Sequence, residues 1–495
     1  MKKIDKNSLT FVGISNFLLR FSTSPLSFLF SVFVAKVLSA PIEGKLIFGS
    51  WQLIYVTATG YFAVYGDTLS VITSRYAAEG RKVGGIFLIN LGIGAAASLI
   101  YSAIVPFLMH ASGYYEPIYF YSGVIMIFSY YAWRSVNAIS TGRTPFEVGV
   151  GNAIFQVARI VAGVVLLLFL HQLILGVVLA YAIGYASQSV YNLFYVKSSL
   201  ILDLKIAWEA MRKSVIFIGD YSQIMIENGV SLFATFLLTS IPNSYFESAL
   251  IIANIASYAI TSYTGLVNKL VTEGNPSQIV FQSLRLYALT GGLALAIIGG
   301  GGYEILRYLR PDYVEAVYGM LILAAAYYLK GIFRLFYFSI TVLDEKLGVG
   351  SREELRGLTA LTVKNNLMLT LLGTGISFGV MYVMFRLYPI TMPNFYALFT
   401  VTMSIGILLN AIGTSLNSRN ILRKRISFNF PKREFAFSLL SAVLASVITF
   451  SLIKEPKLLY VALSVITSAV IYLVFVYLTI PYVRHIVSRT LRLLT

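Results

Sequence analysis

Two carboxyl groups in an apolar setting offer the first chemistry in this chain. Asp220 and Glu227 lie within SVIFIGDYSQIMIENGVSLFATFLLTS, residues 214–240. Seven residues make about two helical turns, so both acids fall on one face. A helix entering a bilayer at Ser214 carries Glu227 roughly 20 Å in, near its middle. A carboxyl group at that depth needs a polar cavity, a protein partner or an ion. One reading gives Asp220 and Glu227 a proton or sodium ion whose gradient drives a conformational switch. The plainer reading has them neutralise Arg20 or Arg159.

Basic groups supply the complementary chemistry. Arg20, in the apolar stretch 9–38, and Arg159, in 146–170, both sit near mid-span. A planar guanidinium forms charge-assisted, often bidentate bonds to phosphate oxygens. Lys330 and Arg334, one turn apart in 316–343, offer the same charge from the second half of the chain. Asn16, Ser24, Gln223, Asn228 and Asn254 are polar groups able to line a path for sugar, although helix–helix hydrogen bonds explain such residues equally well. Arg134, Arg285 and Lys36 are expected to snorkel to an interface. Asp67 is expected to form a structural pair, with Arg75 the nearest partner. Pro25 marks a bend point in the first span.

These groups need long membrane helices to hold them. Of the 495 residues 57% are hydrophobic and 12% charged, about half the charged share of a soluble protein. The pattern predicts an all-α polytopic membrane protein with about 14 transmembrane helices. They are expected at 9–38, 46–73, 84–110, 117–139, 146–170, 173–196, 214–240, 246–268, 279–302, 316–343, 359–385, 394–416, 435–453 and 457–480. Residues 197–213, KSSLILDLKIAWEAMRK, mix apolar and charged positions as a helix lying on a membrane surface does. They divide an N-lobe, 1–196, from a C-lobe, 214–417, and 418–495 follow as a basic loop, two helices and a tail.

The net charge of +17 does not point to nucleic acid, because the basic residues are separated by long apolar runs. Most of the 38 Lys and Arg fall in the tails and in alternate loops, with the densest group in SRNILRKRISFNFPKRE. That asymmetry puts both termini in the cytoplasm. The chain has no cysteine, which excludes disulfides and thiolate chemistry. His110, His171 and His485 are isolated, so no metal is expected. No Gly-rich loop ending in Gly-Lys-Ser/Thr occurs, which sets aside an ATP-driven pump. The loop YEILRYLRPDYVEA carries Glu304, Asp312 and Glu315, an unpersuasive catalytic set for a glycan ligase or polymerase, so the chain is read as a non-enzyme. A faint repeat joins the halves: Arg75-Tyr-Ala-Ala-Glu79-Gly80 is echoed by Lys269-Leu-Val-Thr-Glu273-Gly274. Six helices separate the copies, implying parallel lobes about an axis along the membrane normal.

The amino-terminal FVGISNFLLRFSTSPLSFLFSVFVAKVLSAPIEGKLIF, the RYAAEG that ends span two and the second-half start FIGDYSQIMIENGVSLFATFLLTSIPNSYFESALIIANIASY resemble the polysaccharide or lipid-linked oligosaccharide flippases of the multidrug/oligosaccharidyl-lipid/polysaccharide exporter superfamily. The resemblance implies two six-helix lobes related by a pseudo-twofold around a central cavity, plus two carboxyl-terminal helices. It further implies a monomer that uses alternating access to move a polyisoprenyl-diphosphate-linked glycan from the cytoplasmic to the outer leaflet of the cell membrane. No cofactor is implied beyond H+ or Na+ as a coupling ion. A cation-coupled multidrug antiporter of the same superfamily is the nearest rival, disfavoured by the cation-rich spans and the last two helices.

Overall fold

A computed structural model describes residues 9–263, 270, 275–344, 357–392, 394–452, 458–485 and 488, with side chains from residue 23 onward except at 24, 216, 261 and 458. No strand occurs among the described residues, and the fold is all-α. The helices are α1 Leu9–Ser39, α2 Gly44–Tyr55, α3 Tyr65–Ala78, α4 Gly84–Ser112, α5 Pro117–Tyr121, α6 Gly123–Arg143, α7 Pro145–Val164, α8 Leu173–Val196 and α9 Leu204–Lys213. They continue as α10 Val215–Leu237, α11 Ile241–Ala253, α12 Pro276–Leu309, α13 Val317–Leu343, α14 Leu358–Leu387, α15 Phe395–Arg423, α16 Lys432–Leu452 and α17 Leu458–Thr479. Nine helices among the described residues are long and apolar enough to cross a membrane, which makes this a multi-pass membrane protein. The chain divides into two compact units, Met1–Ser244 and Tyr245–Thr495.

In the first unit α1 packs on α7, α7 on α8, and α6 lies against α3, α4 and α8. Amides and hydroxyls join these helices where hydrocarbon offers no alternative partner. Asn90 donates to Ser135 Oγ at 2.5 Å, and Gln188 donates to the side chains of Asn152 at 2.9 Å and Asn137 at 3.1 Å. Span two departs from the expected unbroken helix. A π-helical segment, Val56–Phe62, follows α2, and the chain turns before α3 begins at Tyr65. A π-turn leaves backbone groups less regularly paired and is common at functional positions. α1 runs unbroken through Pro25. The surface helix of the linker is present as α9, whose first turn is capped by Asp203 Oδ1 accepting from the Ile206 amide at 3.1 Å.

The second unit is built around α12. The expectation that span nine ends in the run Gly299–Gly302 is overturned, since the helix continues to Leu309 and takes Glu304 into the buried interior. Such glycines are costly in an exposed helix, but here they admit close neighbours. A Cβ on Gly299 would stand 2.2 Å from Ser446 Oγ, and one on Gly300 2.5 Å from Ser468 Oγ. Hydroxyls of α16 and α17 reach back onto α12 carbonyls: Ser438 to Ala288, Tyr472 to Leu289 and Ser468 to Ala296, each at 2.6 Å. Arg285 also corrects its expected role. It does not snorkel: its Nε donates to Glu434 Oε1 of α16 at 2.6 Å, and its guanidinium lies 3.8 Å from the Tyr482 ring centroid. The acid is 149 positions away, so sequence proximity gave no sign of it.

Candidate functional site

The site is built around Arg159, near the middle of the helical stretch Pro145–Phe169 in the first unit. Its side chain is buried, with 3% exposure. Three rings enclose the guanidinium: Phe30 of α1, Tyr181 of α8 and Phe155 of α7, at 4.4, 4.8 and 5.0 Å from the ring centroids. Nη2 donates to Gln156 Oε1 at 2.5 Å and to Ser27 Oγ at 3.2 Å, while Nε has no hydrogen-bond partner. No carboxylate pairs with Arg159 among the described residues, its contacts being Ser27, Gln156 and the three rings. Of the two arginines that Asp220 or Glu227 is expected to neutralise, Arg159 is thus set aside, and Arg20 lies outside the described side chains. Gly163 makes the enclosure possible, since a Cβ there would lie 2.5 Å from Phe30 Cε2.

The enclosing rings belong to a larger aromatic cluster. Tyr181 contacts Trp51 at 6.0 Å and Tyr55 at 5.7 Å, and Tyr185 contacts Phe155 at 5.1 Å and Trp133 at 4.9 Å. Tyr130, 5.6 Å from Tyr185, closes the far end and donates its hydroxyl to Asp67 Oδ2 at 3.0 Å. Asp67 is ion-paired there with Arg134, whose side chain is 26% exposed. This corrects two expectations, a snorkelling Arg134 and an Asp67–Arg75 pair. Arg75 instead meets Glu79 one turn on at 3.3 Å. A carboxylate on α3 facing an arginine on α6 across packed helices is better desolvated, hence more strongly drawn, than one at a wet helix end.

Sequence reading missed the aromatic cluster, yet a signal was present. Trp51/Tyr55, Phe155/Arg159, Tyr181/Tyr185 and Tyr130/Arg134 are all i,i+4 pairs, each on one helix face.

The other expected site residues are distributed as follows. Asp220 and Glu227 are half-buried on α10, where Gln223, itself buried, donates to Asp220 Oδ1 at 3.5 Å. Asn228 packs onto the π-helical segment, where a Cβ on Gly60 would stand 2.2 Å from its Nδ2. Tyr221 is half-buried on α10. In the second unit Lys330 lies 5.0 Å from the Tyr327 ring centroid, while Arg334 and Asn254 are exposed. Arg20, Asn16 and Ser24 lie outside the described side chains, as does the repeat copy Lys269–Gly274 except for Leu270. His110, His171 and His485 are exposed near helix ends. No cluster of metal-type ligands occurs among the described residues.

Comparison with solved structures then places the fold. A structure of the lipid II flippase MurJ in an inward closed conformation aligns with a TM-score of 0.66 over 95% of this chain and 100% of that one, at 10% identity. The chain has the fold of the MOP superfamily. An inward-facing multidrug resistance MATE family transporter of that superfamily aligns at 0.57, covering 83% of this chain and 100% of the other, at 13% identity. A MOP superfamily transporter from Pyrococcus furiosus, described as having a binding pocket of reverse polarity, aligns at 0.51 over 84% and 96%, also at 13% identity. No protein-family model and no curated protein matches the sequence. The MOP fold therefore rests on the course of the helices, not on shared residues.

Proposed function

We propose that this protein is a transporter that flips a lipid-diphosphate-linked glycan from the cytoplasmic to the outer leaflet by alternating access. The single observation that carries the reading is Arg159, a buried guanidinium without a carboxylate partner among the described residues, enclosed by aromatic faces and keeping an unbonded Nε. Taking such a charge out of water is costly unless an anion joins it during the working cycle. Diphosphate oxygens suit the guanidinium, and ring faces such as Trp51, Tyr55 and Tyr181 suit the apolar faces of a sugar. A cationic drug would be repelled by the charge already fixed in this cluster, which favours the flippase over an antiporter. Arg20, Lys330 and Arg334 are assigned to the same anion along its route. Asn16, Ser24, Gln223, Asn228 and Asn254 are assigned to its sugar, and Asp220 and Glu227 to a coupling proton or sodium ion.

Transport in proteoliposomes of a fluorescent polyisoprenyl-diphosphate glycan tests this. Arg159→Ala is expected to slow flipping by about a hundredfold, the loss of one charge-assisted contact pair, and Arg159→Lys to restore only part of it. Normal flipping by a folded Arg159→Ala protein would overturn the assignment. Collapse of proton and sodium gradients is expected to slow the wild type, and an unchanged rate would remove the coupling role from Asp220 and Glu227.

A further inference from the structure

The turn between α15 and α16 carries Arg423, Lys424, Arg425, Lys432 and Arg433 within eleven residues and no acid. All five are exposed. The nearest acid in sequence, Glu434, is taken by Arg285. This density of positive charge is held on a fixed backbone. Residues 426–430 alternate, so that Phe428 enters the hydrophobic core of the second unit and Phe430 packs beside it, while Ser427 and Asn429 face outward. Phe428 meets Phe336 at 5.6 Å and Phe430 meets Phe435 at 4.5 Å. Arg423 lies over Phe428 at 5.8 Å and Arg433 over Phe437 at 5.7 Å.

Beside this turn is a cavity of about 550 Å³. Its polar lining is Asn275, Ser277, Gln278, Arg423, Ser427 and Asn429, and Phe428 forms part of the wall. Three candidate membrane helices, α12, α15 and α16, end here, so the cavity opens at the boundary between hydrocarbon and water. One lining cation, Arg423, with four more on the adjoining chain, hydroxyl and amide donors inside and an apolar wall, matches a phosphate-bearing headgroup whose chains remain in the bilayer.

We propose that this cavity binds the headgroup of an anionic phospholipid from the leaflet it faces, as a resident lipid separate from any transported one. Arg423 contacts the phosphate, Ser277, Gln278, Ser427 and Asn429 contact the phosphate or the polar headgroup, and Lys424, Arg425, Lys432 and Arg433 draw the negative charge in. The site lies wholly within the second unit and does not depend on Arg159.

Native mass spectrometry of the full chain, purified in detergent and supplied with phosphatidylglycerol or phosphatidylcholine, tests the proposal. The wild type is expected to retain one phosphatidylglycerol in preference to phosphatidylcholine, and Arg423→Gln to weaken that retention about fivefold. Arg159→Ala is expected to retain it in full. Millimolar inorganic phosphate and glycerol phosphate are expected not to displace the lipid. Equal retention of both lipids, undiminished retention by Arg423→Gln, or displacement by the soluble phosphates would each overturn the assignment, the last by marking a site for a soluble anion. Should Arg423→Gln not fold, Ser427→Ala with Asn429→Ala on the exposed turn decides it in the same way.

Discussion

Asp67 of α3 and Arg134 of α6 form an ion pair with side-chain exposures of 14% and 26%, and the Tyr130 hydroxyl donates to Asp67 Oδ2 at 3.0 Å. Removing one member of such a pair strands the other. Asp67→Asn is expected to cost about 3–5 kcal/mol, and the double variant Asp67→Asn/Arg134→Gln to recover much of that loss. Melting of the purified protein in detergent measures both, and additive losses would show that the pair is not coupled.

The contact of Arg285 with Tyr482 ties the segment after α17 back to α12. Tyr482→Leu is expected to lower stability by about 1 kcal/mol, within the range of a partly desolvated cation–π contact. Tyr482→Phe is expected to be near neutral, because the ring face does the work. A thermal shift that follows loss of the hydroxyl instead would contradict this.

The glycine run in α12 leaves no room for larger side chains. Gly300→Leu is expected to cost about 3 kcal/mol or more by forcing α12 from Ser468 and Thr449. Gly375→Leu on α14, where a Cβ meets nothing within 4 Å, is the matched control. Yield of monodisperse protein and melting temperature separate the two.

The surface helix α9 is expected to respond to acid. Lys213 Nζ lies 2.9 Å from Glu209 Oε1, and Tyr76 donates to the same oxygen at 2.8 Å, which together hold the Glu209 carboxyl below its ordinary value of 4.5. A lowered folded value means the contribution is present above pH 4.5 and fades as pH falls through the folded value. Its size is small at this exposed site. Emission of Trp208, on the same helix, is expected to shift below pH 4.5, and Glu209→Gln to abolish the shift. An identical titration in the variant would assign the change elsewhere.

Aromatic rings beside Arg159 give a prediction specific to the glycan. Tyr181→Leu is expected to reduce flipping about tenfold at unchanged melting temperature, and Tyr181→Phe to leave most of it. Equal loss in both would point to the hydroxyl in place of the ring.

The helical stretches were readable because each crossing must satisfy its own backbone and so leaves a long apolar signature. Residues 173–196 match α8 at both ends. What escaped were features made by distant partners. Glycine beside glycine reads as a helix end until Ser446 and Ser468 are known to fill the space. Arg134 and Arg285 read as interfacial because their acids lie 67 and 149 positions away. The break after Val56–Phe62 has no proline to announce it, and the β-branched and aromatic residues of VTATGYF, with Gly60, lower helix propensity without marking a stop. Arg159 was legible by depth alone, whereas the rings around it come from three helices and needed the fold to assemble them.

A π-turn accommodates one more residue than an α-turn. Rewinding Val56–Phe62 to ordinary pitch would therefore shift the turn at Ala63–Val64 from which α3 sets out, and Asp67 with it. A substitution that restores ordinary pitch there is thus expected to loosen the Asp67–Arg134 pair.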